Sequence, residues 1–96
     1  MPSRKAIAVV VGAFQDPEEV AFGLKDELKS PRIALIPGNV RGYSEIYIEF
    51  PTRREARSFA IAVQATPAPV RGQYLEYGLD KVLRSKQFKM MGGRLI

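Results

Sequence analysis

The chain has 96 residues, 46% of them hydrophobic, with 15 Lys/Arg against 10 Asp/Glu and a formal net charge of +5. That length suits one domain with a single modest core, and the composition is too apolar for a disordered tail. Cysteine and histidine are both absent, which excludes disulfides, thiolate nucleophiles, Cys/His zinc sites and imidazole acid–base chemistry.

Lys5 to Val11 reads as a strand apolar on both faces. Ile7, Val9 and Val11 share one face, and the smaller Ala6, Ala8 and Val10 share the other. Asp16-Pro17-Glu18-Glu19 then gives an N-cap Asp, a Pro at the first helical position and acids in the first turn, so a helix is predicted to start there. Val20, Ala21, Leu24 and Leu28 fall on one face of that helix. Gly23 lowers helix propensity by about 1 kcal/mol relative to Ala, and a tight packing contact is the expected reason for it. Ser30-Pro31 stops the helix. Arg32 to Ile36 is a short apolar second strand.

Pro37, Gly38, Asn39 and Gly42 punctuate a loop. Glu45 to Phe50 then alternates strictly, with Ile46, Ile48 and Phe50 on one face and Glu45, Tyr47 and Glu49 on the other. Thr52-Arg53-Arg54-Glu55 is a capping box that opens a second helix with Ala56, Phe59, Ala60 and Val63 on its apolar stripe. Thr66-Pro67 ends that helix and Pro69 reinforces the stop. Val70 to Tyr77 reads as a fourth strand weakened by Gly72, and Leu79, Val82 and Leu83 predict a short third helix to about Lys86. The remaining tail is basic, Gly-paired and apolar at its end.

The element order is β-α-β-β-α-β with an extension. The expected fold is α+β: a ferredoxin-like sandwich with a four-stranded antiparallel sheet and two helices on one face. Residues 1–78 form that domain, and residues 79–96 are a C-terminal helical extension and basic tail. By parity the uncovered face is expected to carry Ala6, Ala8 and Val10 beside Glu45, Tyr47 and Glu49. No apolar run reaches membrane-span length and no signal-peptide pattern follows Met1, so a soluble intracellular protein is expected. Charge is uneven: residues 1–50 hold 6 Lys/Arg against 7 Asp/Glu, whereas residues 51–96 hold 9 against 3. A basic half favours anionic partners, nucleic acid first, although solubility alone also accounts for many basic domains.

Arg41-Gly42-Tyr43-Ser44 followed by Tyr47-Ile48-Glu49-Phe50 resembles the signature motif of the RNA recognition motif (RRM) family. Ala56, six residues past Phe50, fits the same pattern. The resemblance implies an RNA-binding module without chemistry of its own, with Arg41 on phosphate, Tyr43 and Tyr47 stacking bases from the open face, and Phe50 in the core. A second resemblance is to the N-terminal domain of NusG-type transcription elongation factors. It rests on Val11-Gly12, Val20-Ala21-x-x-Leu24, and Gly42-Tyr43 through Ile48-Glu49. It implies docking on RNA polymerase or another protein subunit through Ala6, Ala8, Val10, Tyr47 and Glu49. A scaffold role in a ribonucleoprotein complex is the third alternative.

Arg53, Arg54 and Arg57 cluster at the start of the second helix, where the macrodipole disfavours cations, so they are candidates for phosphate contacts or simply a solvated face. Arg71, Lys86 and Lys89 extend the basic set, alongside Lys81 and Arg84. Tyr74 and Tyr77 fall on opposite faces of the fourth strand. Gly92-Gly93 is not a phosphate loop, because no strand and helix flank it. The carboxylates offer no acid–base pair, and neither catalysis, a cofactor nor a metal is expected.

Overall fold

Two capped starts set where the longer helices begin. The computed structural model describes residues 5–67 and 70–96. Asp16 Oδ1 accepts the Glu19 amide at 3.2 Å and Pro17 opens α1 (Pro17–Glu27). Thr52 Oγ1 accepts the Glu55 amide at 3.2 Å ahead of α2 (Arg53–Gln64). Each cap satisfies an amide that has no partner inside the helix, which contributes about 1 kcal/mol. Pro69, assigned to the stop after α2, lies outside the described residues.

The strands are β1 (Ala6–Gly12), β2 (Ile33–Ile36), β3 (Ser44–Phe50) and β4 (Arg71–Leu75), followed by α3 (Leu79–Arg84), α4 (Lys86–Met90) and β5 (Arg94–Leu95). They form one antiparallel sheet in the order β4-β1-β3-β2-β5. The α+β class is as expected, but the sheet has five strands rather than four. The tail doubles back, so that Leu95 pairs with Ala34 and Arg94 with Leu35. The Ile96 amide donates to the Ile33 carbonyl at 2.8 Å, Lys25 Nζ donates to the Ile96 carbonyl at 2.9 Å, and Arg94 pairs with Glu18 at 2.5 Å. The predicted third helix is broken at Ser85, whose Oγ caps α4 by accepting the Phe88 amide. Among the described residues no helix is long and apolar enough to cross a membrane.

The register decides which residues share a face. Ala6 pairs with Phe50, Ala8 with Ile48 and Val10 with Ile46, while Ile7, Val9 and Val11 pair with Glu49, Tyr47 and Glu45. Residues opposite one another in an antiparallel pair lie on the same side. Ala6, Ala8 and Val10 therefore do not share an open face with Tyr47: they are buried beneath α1 and α2 with Ala21, Ile33 and Leu35. The reason is steric. Ala56 and Ala60 bring α2 down onto β1 and β4, and a Cβ added at Gly72 would run into the Ala60 carbonyl oxygen. Small residues on both sides permit that approach, and the bulkier side chains of β1 take the other face.

Gly23 has nothing within 4 Å of the position a Cβ would occupy, so the packing contact expected there does not exist. The two glycines should respond oppositely to substitution. Gly72→Ala is expected to cost about 2 kcal/mol or more by overpacking, and Gly23→Ala to add up to about 1 kcal/mol through helix propensity. Urea denaturation of both variants checks this, and equal effects would contradict the assigned packing.

Candidate functional site

The second face of the sheet carries Ile7, Val9, Ala34, Ile36, Tyr47 and Leu75, and it is not open. Leu79 and Val82 of α3 and Phe88 of α4 are buried against it. Glu49, expected to meet a partner, holds this roof in place instead. Its Oε2 accepts the Leu79 amide at 2.7 Å at the start of α3, and its Oε1 lies 3.6 Å from Arg32 and 3.8 Å from Lys5. Gly78 brings the backbone close enough for that bond, since an added Cβ would lie 3.2 Å from the carboxylate. Arg32 also bonds Asp80 at 2.9 Å, and this holds the Asp80 carboxyl below its ordinary range. At the far end of the roof Gly92 turns the chain with φ +73°. A Cβ on Gly93 would strike the Phe88 ring, so the glycine pair serves the roof's packing.

The roof covers only part of the face. Beside it lies a cleft of about 770 Å³, with Glu45, Tyr47, Gln73 and Leu75 on its floor and Lys81, Arg84 and Gln87 along the α3–α4 wall. A smaller lobe of about 420 Å³ continues it past Val11, Tyr43 and Arg71. The opposite wall is the loop between β2 and β3, which folds around Asn39. Asn39 Oδ1 accepts the Arg41 and Tyr43 amides at 2.9 and 3.0 Å, and its backbone amide donates to the Tyr43 carbonyl at 2.8 Å. Gly42 supplies the positive φ that this turn needs. The loop thereby sets Arg41 and Tyr43, both exposed, at the cleft mouth.

On the floor, Glu45 Oε2 accepts from Asn39 Nδ2 at 2.9 Å and Oε1 accepts from the Tyr47 hydroxyl at 2.5 Å. The Tyr47 ring meets Phe88 edge-on at 5.9 Å. Burial, and then the neighbouring Glu45 carboxylate, push the Tyr47 phenol far above the ordinary tyrosine value of 10.0. Tyr47 is thus half-buried and engaged on both sides, not the exposed stacking platform that the motif assigns it. The α3–α4 roof is the cause.

The residues expected to bind nucleic acid fall into separate places. Arg41, Tyr43 and Arg71 gather around the cleft. Arg53, Arg54 and Arg57 lie on α2, across the sheet, where Arg57 pairs with Glu76 at 3.8 Å and sits 5.0 Å over the Tyr74 ring. Lys86 and Lys89 are exposed on α4 and do not line the cleft. The missed members of the site are Asn39, Glu45 and Gln73. The turn signal at Asn39 was the available clue, since an Asn there organises its own loop.

No protein-family model, curated protein or solved structure was found to match the chain.

Because the native Tyr47 phenol resists ionisation, its stabilising contribution is complete below the unfolded-state value of 10.0 and is lost as pH rises above it. Denaturation curves at about pH 8 and about pH 11 should show the wild type losing more stability than Tyr47→Phe. Equal losses would mean the phenol is not held neutral.

Proposed function

We propose that this chain is a non-enzymatic nucleic-acid-binding domain that takes an RNA strand in the half-roofed cleft. Strands β1 to β4 with α1 and α2 are read as a ferredoxin-like unit, in the order β4-β1-β3-β2, to which residues 79–96 add the roof and an edge strand. The observation that carries this reading is the placement of four exposed cations, Arg41, Arg71, Lys81 and Arg84, from three separate segments around one concave floor. Convergent cations over a cleft raise the local potential and favour a polyanion. The exposed Tyr43 ring at the mouth offers a face for one base. Binding then rests on phosphate contacts at the rim rather than on a stacking pair across an open sheet. The partial RRM motif agrees with Arg41 and Tyr43 in these roles and departs from it at Tyr47.

A second reading is docking of the NusG N-terminal type, on RNA polymerase or another protein subunit. It is favoured by Val40, which is 95% exposed on the cleft wall. Pull-down of polymerase subunits by the intact chain, lost in Val40→Asp, would support it over the first.

Titration of a labelled single-stranded RNA, followed by fluorescence anisotropy at several salt concentrations, tests the main reading. The slope of log K against log salt should be about −0.7 per phosphate neutralised, hence roughly −2 to −3 for four cations. Arg71→Gln should make that slope shallower by about 0.7 and weaken all sequences alike. Absence of binding at low salt would refute the proposal.

A further inference from the structure

Glu45 is a partly buried carboxylate engaged on both oxygens without an ion pair. Among the described residues Glu18, Glu49, Glu76 and Asp80 each hold an ion pair with Arg or Lys, whereas Glu45 holds none. It is held by two neutral donors, Asn39 Nδ2 and the Tyr47 hydroxyl. It also lies where the two lobes of the cleft join. An unpaired negative charge there opposes a phosphate, so the phosphate path and Glu45 must meet different parts of the ligand. Phosphates belong at the cationic rim, and the floor is left to a group that donates hydrogen bonds.

Each carboxylate oxygen accepts about two hydrogen bonds, so Asn39 and Tyr47 leave one acceptor direction open on each. They also fix the plane of the carboxylate, because one grips each oxygen. One acceptor site per oxygen therefore remains, enough to receive two adjacent donors at once. Among the four RNA bases, guanine matches it with two adjacent donors, N1–H and N2–H, on its Watson–Crick edge. Adenine and cytosine offer one amino group beside a ring nitrogen that would repel the second oxygen. Uracil offers one imide N–H flanked by two carbonyls.

We infer that Glu45 is a specificity-determining residue that accepts the Watson–Crick edge of a guanine, with Asn39 and Tyr47 as its positioning residues. This rests on the cleft being a nucleic-acid site. Base contacts of this kind select sequence, while Arg41, Arg71, Lys81 and Arg84 supply affinity without selecting it.

The test uses the intact chain and five pentanucleotides, U-U-X-U-U, where X is guanine, inosine, adenine, cytosine or uracil. Anisotropy titrations at low salt should show the guanine RNA bound about five- to a hundredfold more tightly than the adenine, cytosine and uracil RNAs. Inosine, which lacks the N2 amino group, should lose much of that advantage, a comparison that needs no variant. Glu45→Gln should remove the guanine preference, bringing the guanine RNA to within about twofold of the uracil RNA. Equal binding of all five RNAs by the wild type, or a guanine preference that survives Glu45→Gln, overturns the inference and leaves the cleft reading standing. Failure of all five to bind overturns both.

Discussion

The structure depends on how closely α2 can approach the sheet. Ala6 and Ala8 of β1 and Ala56 and Ala60 of α2 are all buried, and the Gly72 backbone passes so near the Ala60 carbonyl that no side chain fits between them. Close packing of this kind stabilises through many weak contacts and tolerates little added volume. It also fixes which face each strand residue occupies, because strand side chains alternate. Once the small side of β1 is under α2, Ile7, Val9 and Val11 must lie on the opposite side with Glu45, Tyr47 and Glu49.

That second side is apolar enough to need cover, and residues 79–91 supply it. The roof consists of two short helices, each too short to be stable alone, so its order comes from tertiary contacts. Leu79, Val82 and Phe88 provide buried area, and Glu49 provides direction by meeting the Leu79 amide at the start of α3. A carboxylate at a helix amino end satisfies an otherwise unpaired donor and complements the dipole. The β5 pairing and the ion pair between Arg94 and Glu18 tie the far end of the segment to β2 and α1. What the roof leaves uncovered is the cleft.

The charge bias of the second half of the chain is therefore not one surface. Arg53, Arg54 and Arg57 belong to the helix layer, where Arg57 is occupied by Glu76 and Tyr74. Arg71, Lys81 and Arg84 are joined at the cleft by Arg41, which comes from the acidic half of the sequence. Function on this reading comes from segments distant in the chain and brought together by the roof, with a carboxylate bonded by two neutral donors between them.

Elements with a local physical cause were legible in the chain itself. The caps at Asp16 and Thr52, the alternation over β3 and the stripe of α2 need only neighbours in sequence, and each formed where its residues called for it. The Arg41 to Tyr43 corner of the site was legible for the same reason, because turn formers announce a loop. Which side of β1 faces the long helices was not, since both sides are apolar and only the fit of Gly72 against Ala60 separates them. Nor was the fate of Tyr47, which turns on Phe88 arriving from 41 residues further along the chain. Local hydrogen bonds and side-chain periodicity thus determined the elements, and long-range packing volume decided the faces, the roof and the cleft.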